Sequence, residues 1–169
     1  MNSKIYGICS TKGGVGKTTV TANLGAICAD MNQKVLLIDC DPQGSLSQTF
    51  DISQNALFAL QKLYRSANTA DLISKTTIPN LDIVLNDDPS TDSTIIASFL
   101  RESVTHFHNL WVALQDINEV YDYVFIDTQG AKGVIQESVI FCSDVLLSPL
   151  PPRVLDSRAF IDGFVELVN

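Results

Sequence analysis

Between Ser10 and Val20 the chain reads STKGGVGKTTV, with three glycines, two lysines and four hydroxyl side chains in eleven positions. Gly13, Gly14 and Gly16 let the backbone take unusual angles and approach an anion closely. If a helix starts where they end, its first N–H groups point outward with the positive end of the helix dipole behind them, a seat for phosphate oxygens. In such a seat Lys17 reaches the β- and γ-phosphates and Thr18 offers a hydroxyl to Mg²⁺. The common form of this loop has glycine where this chain has Thr11, and the additional Lys12 calls for a role of its own.

Carboxylates follow two apolar runs. In VLLIDCDPQG, Asp39 and Asp41 stand two apart and so share a face if the chain is extended. Beside a bound nucleotide such a pair can hold water on Mg²⁺ or orient the attacking water. Pro42 and Gly44 also mark a turn that the same carboxylates can cap. In YDYVFIDTQG the apolar run ends in Asp127, placed to hold a metal through water, and Gly130 can offer its backbone N–H to a γ-phosphate. His106 and His108, near Phe107 and Trp111, have no carboxylate pair or cysteine at ligand spacing, which favours packing or surface roles. Arg101, Arg153 and Arg158 read as solvated helix faces, with contact to DNA or a partner as the alternative.

These groups work together only if a scaffold brings them to one place. Five runs read as buried parallel strands: KIYGICS from Lys4, KVLLID from Lys34, LDIVLN from Leu81, DYVFID from Asp122 and DVLLSPL from Asp144. Helical spacing fills 18–31, 55–65, 91–118, 133–142 and 155–168, so strand and helix alternate as in a doubly wound α/β domain. TTIPN and NDDPSTDS are assigned only to loops. The polar punctuation falls after the strands, where a parallel sheet places its ligands.

At 169 residues and 46% hydrophobic, one sizeable core and one domain, 1–169, are expected. Nineteen acidic against eleven basic residues give a net charge of −8, which disfavours this stretch by itself as a polyanion binder. Cys9, Cys28, Cys40 and Cys142 are scattered without a C-x-x-C pair, as expected of free thiols in a reducing cytoplasm. No secretory pattern and no apolar run of transmembrane length is seen. FVELVN stops in mid-helix and the last strand reads as an edge, so a C-terminally truncated domain is expected.

The stretch K-G-G-x-G-K-T-T, Lys12 to Thr19, resembles the deviant Walker A motif of the ParA/MinD ATPases, and DCDPQG resembles the D-x-D-P-Q-G of ParA-type partition proteins. The Walker B spacing to Asp127 fits as well, and the likeness runs from Lys4 to about Val168. It implies a P-loop NTPase fold with a mainly parallel sheet and helices on both faces, whose second strand lies beside the fourth and fourth beside the first. It further implies Mg²⁺-dependent ATP hydrolysis in a sandwich dimer, with residues 12–19, Val15 included, around the nucleotide. In that scheme Lys12 reaches the partner subunit's nucleotide, Lys17 holds the β/γ-phosphates and Thr19 the α-phosphate. Asp41 positions water, and Thr18, Asp39 and Asp127 surround the metal.

The partition branch implies a ParB-like stimulatory partner, non-specific DNA binding by the full-length protein, and a cytoplasmic, nucleoid-associated location. A MinD-like positioning ATPase at a membrane lacks support, since no terminal basic amphipathic helix is visible. A metallocluster-coupled relative would need paired cysteines that are absent, and a nucleotide-binding regulator without turnover is the non-enzymatic alternative. GTP is disfavoured because no N-K-x-D motif occurs. One departure stands out: Asp127-Thr128-Gln129-Gly130 replaces the usual D-x-P-P, which leaves the role of Gln129 open.

Overall fold

In the computed structural model the described residues are 3–66, 69, 71–86, 94–103, 106–130 and 132–150. Five parallel strands carry the architecture: β1 (Lys4–Ile8), β2 (Val35–Cys40), β5 (Leu81–Val84), β6 (Tyr123–Thr128) and β7 (Val145–Leu147). Two short strands, β3 (Ile52–Gln54) and β4 (Ser74–Thr76), extend one edge antiparallel, giving the order β3-β4-β5-β2-β6-β1-β7. The second expected strand lies beside the fourth and the fourth beside the first, as the resemblance implies.

All six residues of β2 are buried, which is why VLLIDC reads as a continuous apolar run rather than an alternating one. Helix α1 (Lys17–Asp30) covers one face, where Ala22 and Ala29 join Ile8, Leu37 and Phe125 in one core. The opposite face is covered by α2 (Leu60–Ser66), α3 (Thr94–Glu102), α4 (Phe107–Asp116) and α5 (Val134–Cys142), over Leu36, Ile38, Val124 and Ile126. Alternate residues of β2 and β6 thus feed the two cores, and the sheet is a doubly wound layer.

Register fixes the functional end. Asp39 of β2 pairs with Asp127 of β6, and Ile8 of β1 pairs with the same Asp127. Three strands therefore finish level, and the loops that leave them start side by side.

Several expectations change. TTIPN is not all loop, because Thr76 closes β4. Ser74 and Thr76 face inward with Lys75 outward, an alternation too short and too polar to stand out in the sequence. The helix expected at 55–65 begins only at Leu60, since β3 runs to Gln54 and the N–H groups of Leu57 and Phe58 both donate to the Asp71 carbonyl. The single helix expected over 91–118 is two helices. The His106 ring, just before α4, stacks on Phe99 of α3 at 3.8 Å, and its Nδ1 lies 2.6 Å from the Phe99 carbonyl. The last strand shortens to Val145–Leu147 ahead of Pro149. The helix expected over 155–168, with Arg153 and Arg158, lies outside the described residues.

Cys9, Cys40 and Cys142 are buried free thiols, and Cys28 is half-buried and free. Burial pushes the Cys9 thiol up to about 11 and that of Cys142 to about 12, so neither is a ready nucleophile. Among the described residues no helix is long and apolar enough to cross a membrane.

Candidate functional site

The chain leaves β1 at Ile8, passes through buried Cys9 and Ser10, and turns at residues 11–16 into α1. Gly14 and Gly16 hold φ of 69° and 91°, the left-handed region where a side chain is strained. Gly16 caps α1 without any side-chain hydrogen bond, and the first turn carries no acidic residue. The amides at that helix start are therefore not claimed by a capping carboxylate, and a Cβ at Gly13, Gly14 or Gly16 would meet nothing within 4 Å. This is an open, electropositive turn of the kind that accepts phosphate.

The turn forms one wall of a groove of about 720 Å³. Gly13, Gly14, Gly16, Lys17, Thr18 and Thr19 line that wall, Asp41 to Gln43 with Ser45 a second, and Gln129 with Gly130 a third. Lys17, the first residue of α1, is only 6% exposed. Lys12 is exposed and stands outside the groove lining, with its N–H on the Ser10 hydroxyl at 3.3 Å. The Gly130 backbone packs directly on the loop: a Cβ there would lie 2.5 Å from the Gly13 Cα and 2.8 Å from the Lys12 carbonyl oxygen.

Asp127 is fully buried at the end of β6. Its Oδ2 accepts the Thr18 hydroxyl at 2.6 Å, whereas its Oδ1 has no hydrogen-bond partner among the described residues. Burial pushes its carboxyl up to about 7, with the charges of Asp39 and Asp41 adding to the rise and Thr18 and Lys17 opposing it. A buried carboxylate oxygen without a donor, on a group whose other oxygen accepts the Thr18 hydroxyl, fits a hard divalent cation such as Mg²⁺, which takes oxygen ligands, although no group of three acidic, His or Cys side chains is clustered for a metal among the described residues.

The raised value has a testable consequence. Between about pH 4, where an unfolded aspartate titrates, and about 7, the folded chain keeps a proton that the unfolded chain has released. Stability from this group therefore falls as pH rises through that window, by on the order of a few kcal/mol in full. In metal-free buffer, Asp127→Asn is expected to flatten the decline in melting temperature between pH 5 and 8 and to leave the variant the more stable form at pH 8. Parallel pH profiles for the two proteins would reject this assignment.

Asp39 and Asp41 differ in what they are free to do. Asp39 is fully buried and its carboxylate is engaged inside its own loop, with Oδ2 accepting the Ser47 N–H and hydroxyl at 2.7 Å each and Oδ1 accepting the Asp41 N–H at 3.1 Å. Burial raises its carboxyl, against the pull of those hydrogen bonds. Asp41 lines the groove, and its Oδ1 accepts the Gln43 N–H at 2.9 Å.

Residues that sequence reasoning passed over support this floor. Asn86, just past β5, donates its side-chain amide to the carbonyls of Asp39 and Asp41, and Ser47 bridges Asn86 to Asp39. Gln136, fully buried on α5, donates to the Ser10 carbonyl at 3.2 Å. An asparagine closing the apolar run LDIVLN was the available signal, since a parallel sheet exposes its chemistry at that end. Arg101 lies away from the phosphate turn, on a hollow of about 190 Å³ shared with Pro42, Gln129 and Lys132. His108 packs edge-on to Trp111 and Phe141, far from any carboxylate cluster of the groove.

Known proteins resemble this chain in sequence and in fold. A family model described as an AAA domain matches residues 3–166. The chain is 34% identical over 152 residues to a virulence plasmid ParA family protein of Chlamydia psittaci, covering 89% of this chain and 58% of that protein. It is 33% identical over 169 residues to the sporulation initiation inhibitor protein Soj of Bacillus subtilis, covering 98% of this chain and 64% of that one. It thus spans about three fifths of the length of these curated relatives. Among solved structures, the McdA–ATP complex of Cyanothece superposes with a TM-score of 0.84 at 26% identity, over 99% of this chain and 63% of that one. The phosphate turn, the level strand ends and these relatives together place the chain in the AAA-domain family, among its ParA/MinD-type P-loop ATPases.

Proposed function

We propose that residues 1–169 form one nucleotide domain that binds and hydrolyses Mg²⁺-ATP as a partition ATPase, using an ATP-dependent sandwich dimer as its switch. The observation that carries this reading is the convergence of three post-strand loops on one groove, with the orphaned Asp127 oxygen beside Thr18. Curated relatives named as partition proteins support the DNA-segregation role.

In this reading Gly13 to Gly16 and the first turn of α1 receive the phosphates, Lys17 neutralises the β/γ oxygens and Thr19 meets the α-phosphate. Thr18 and Asp127 would hold Mg²⁺, and Asp39, whose oxygens are engaged in its own loop, would add negative charge beside it. When bound, the cation screens charge on the phosphate oxygens. Asp41, at the groove wall with one oxygen on the Gln43 N–H, orients the attacking water. Gly130 offers its N–H where the terminal phosphate would lie, so loss of that phosphate would release contacts to several loops at once. The exposed Lys12 would reach the nucleotide of the partner subunit. A ParB-like partner would stimulate turnover, and non-specific DNA binding would belong to the full-length protein in the cytoplasm.

The decisive experiment is light scattering with and without ATP. Lys12→Ala is expected to keep ATP binding within about three-fold, a side chain outside the groove contributing little in cis, while losing ATP-induced dimerisation. A Lys12→Ala protein that still doubles its mass on adding ATP would overturn the trans role.

A further inference from the structure

β5 ends at Val84, two residues short of the point where its neighbour β2 ends at Cys40. Parallel register sets Ile38 of β2 beside Val84 of β5, so the residues after each strand also run side by side. Asn86 fills that gap. Its amide nitrogen lies 3.0 Å from the Asp39 carbonyl oxygen and 2.8 Å from that of Asp41, so one NH₂ group donates to both. Its backbone N–H donates to the Ser47 hydroxyl at 2.8 Å, and that hydroxyl donates in turn to the Asp39 carboxylate at 2.7 Å. The loop from Asp39 to Ser47 is thereby pinned at both ends by one residue just past a neighbouring strand. Gly44, at φ 61°, turns the loop back beside it, a Cβ there lying 3.9 Å from that of Asn86.

We propose that Asn86, with Ser47 as its bridge, is the positioning residue that holds the Asp41 carboxylate at the groove wall. Neither lines the phosphate groove. Asn86 acts on the Asp41 backbone, and Asp41 acts on water, so the role rests on the hydrolytic reading above. A carboxylate that must orient water within hydrogen-bond reach loses most of its effect when its backbone drifts by about 1 Å. Within the turn D-P-Q-G the Gln43 N–H donates to Asp41 Oδ1 and the Gly44 N–H to the Asp41 carbonyl, and both bonds move with the turn. The Asp41 N–H donates to Asp39 Oδ1 at 3.1 Å, which ties the turn to β2 alone, whereas the Asn86 bonds tie it across to the segment that follows β5.

The test uses the whole chain and two readouts. The variants are Asn86→Ala, Asn86→Asp, which keeps the size and removes both donors, and Ser47→Ala. In hydrogen exchange, amides of residues 41–46 are expected to exchange about ten-fold faster or more in the Asn86 variants, while those of α1 keep their protection. In steady-state ATPase assays, kcat is expected to fall about ten-fold or more with KM within about two-fold, the mark of a group serving the chemical step rather than binding. A merely structural residue would lower exchange protection throughout or leave kcat per folded molecule unchanged. Unchanged exchange at 41–46 overturns the proposal, as does faster exchange with undiminished kcat. Should the parent chain show no ATP turnover, the hydrolytic reading fails by itself, and the pinning of the loop stands or falls on the exchange data. If Asn86→Ala does not fold, Asn86→Asp decides.

Discussion

Asp41→Ala is expected to lower ATP turnover by about 100-fold or more, the usual loss when a positioned acid–base group is removed, while leaving ATP affinity nearly unchanged. The two effects separate because of where Asp41 sits. Lys17 and Thr18, at the start of α1, line one wall of the groove, and Asp41 lines another. Its Oδ1 already accepts the Gln43 N–H, so the variant loses one turn bond as well as the carboxylate. Asp41→Asn keeps a side-chain oxygen for that turn bond and removes only the charge. If both variants lose turnover alike, the carboxylate itself is needed; if Asn retains it, Asp41 serves the turn. Fluorescent-nucleotide titration and phosphate release, measured on the same preparations, decide the matter. The loss of turnover should come with a dimer that forms on ATP and does not come apart.

Gly130→Ala is expected to damage binding as well as turnover. The added methyl would sit 2.5 Å from the Gly13 Cα and 2.7 Å from the Gly13 nitrogen, distances at which something must shift. Both neighbours are backbone, so no side chain can rotate away. Either the phosphate turn or the segment after β6 moves, and a displacement of about 1 Å at an electrostatic seat costs about 100-fold. Gly133→Ala is the control: its Cβ would approach only the Gln129 amide nitrogen, at 3.1 Å, and that side chain can turn aside. A Gly130→Ala protein that binds ATP like the parent would show that the two loops are looser than their contact implies. A thermal melt distinguishes local displacement from loss of fold, because the clash lies at the rim of the sheet and touches neither apolar core.

Much of the parallel frame was legible, and the reason is physical. VLLIDC and YVFIDT are buried on both faces, so each reads as an unbroken apolar run closed by its carboxylate. Glycines with positive φ at 14 and 16 write the phosphate turn into the sequence directly. The antiparallel edge was not legible, because β3 and β4 have three residues each and are held by the sheet beside them rather than by their own pattern. The division into α3 and α4 was hidden for a similar reason: helical spacing runs on past Glu102, and the stack of His106 on Phe99 is a contact that spacing does not show. Within the site, Gly13, Gly14, Gly16, Lys17, Thr18, Thr19 and Asp41, which line the groove, were legible by type and spacing. Asn86 and Gln136 were missed because their partners are backbone carbonyls far along the chain, which become neighbours only through the fold, and Ser47 because its bond to Asp39 depends on how the loop between them turns.

The level ends of β1, β2 and β6 carry one more consequence, for how the protein comes apart. Asp39 and Asp127 face each other across the central ladder, in strands with the most deeply buried residues of the sheet. Local fraying cannot carry them away singly; they separate only when the sheet itself opens. A ligand gripping that end is therefore coupled to the whole cooperative unit, and its binding energy is felt as global resistance to unfolding rather than as stiffening of a loop.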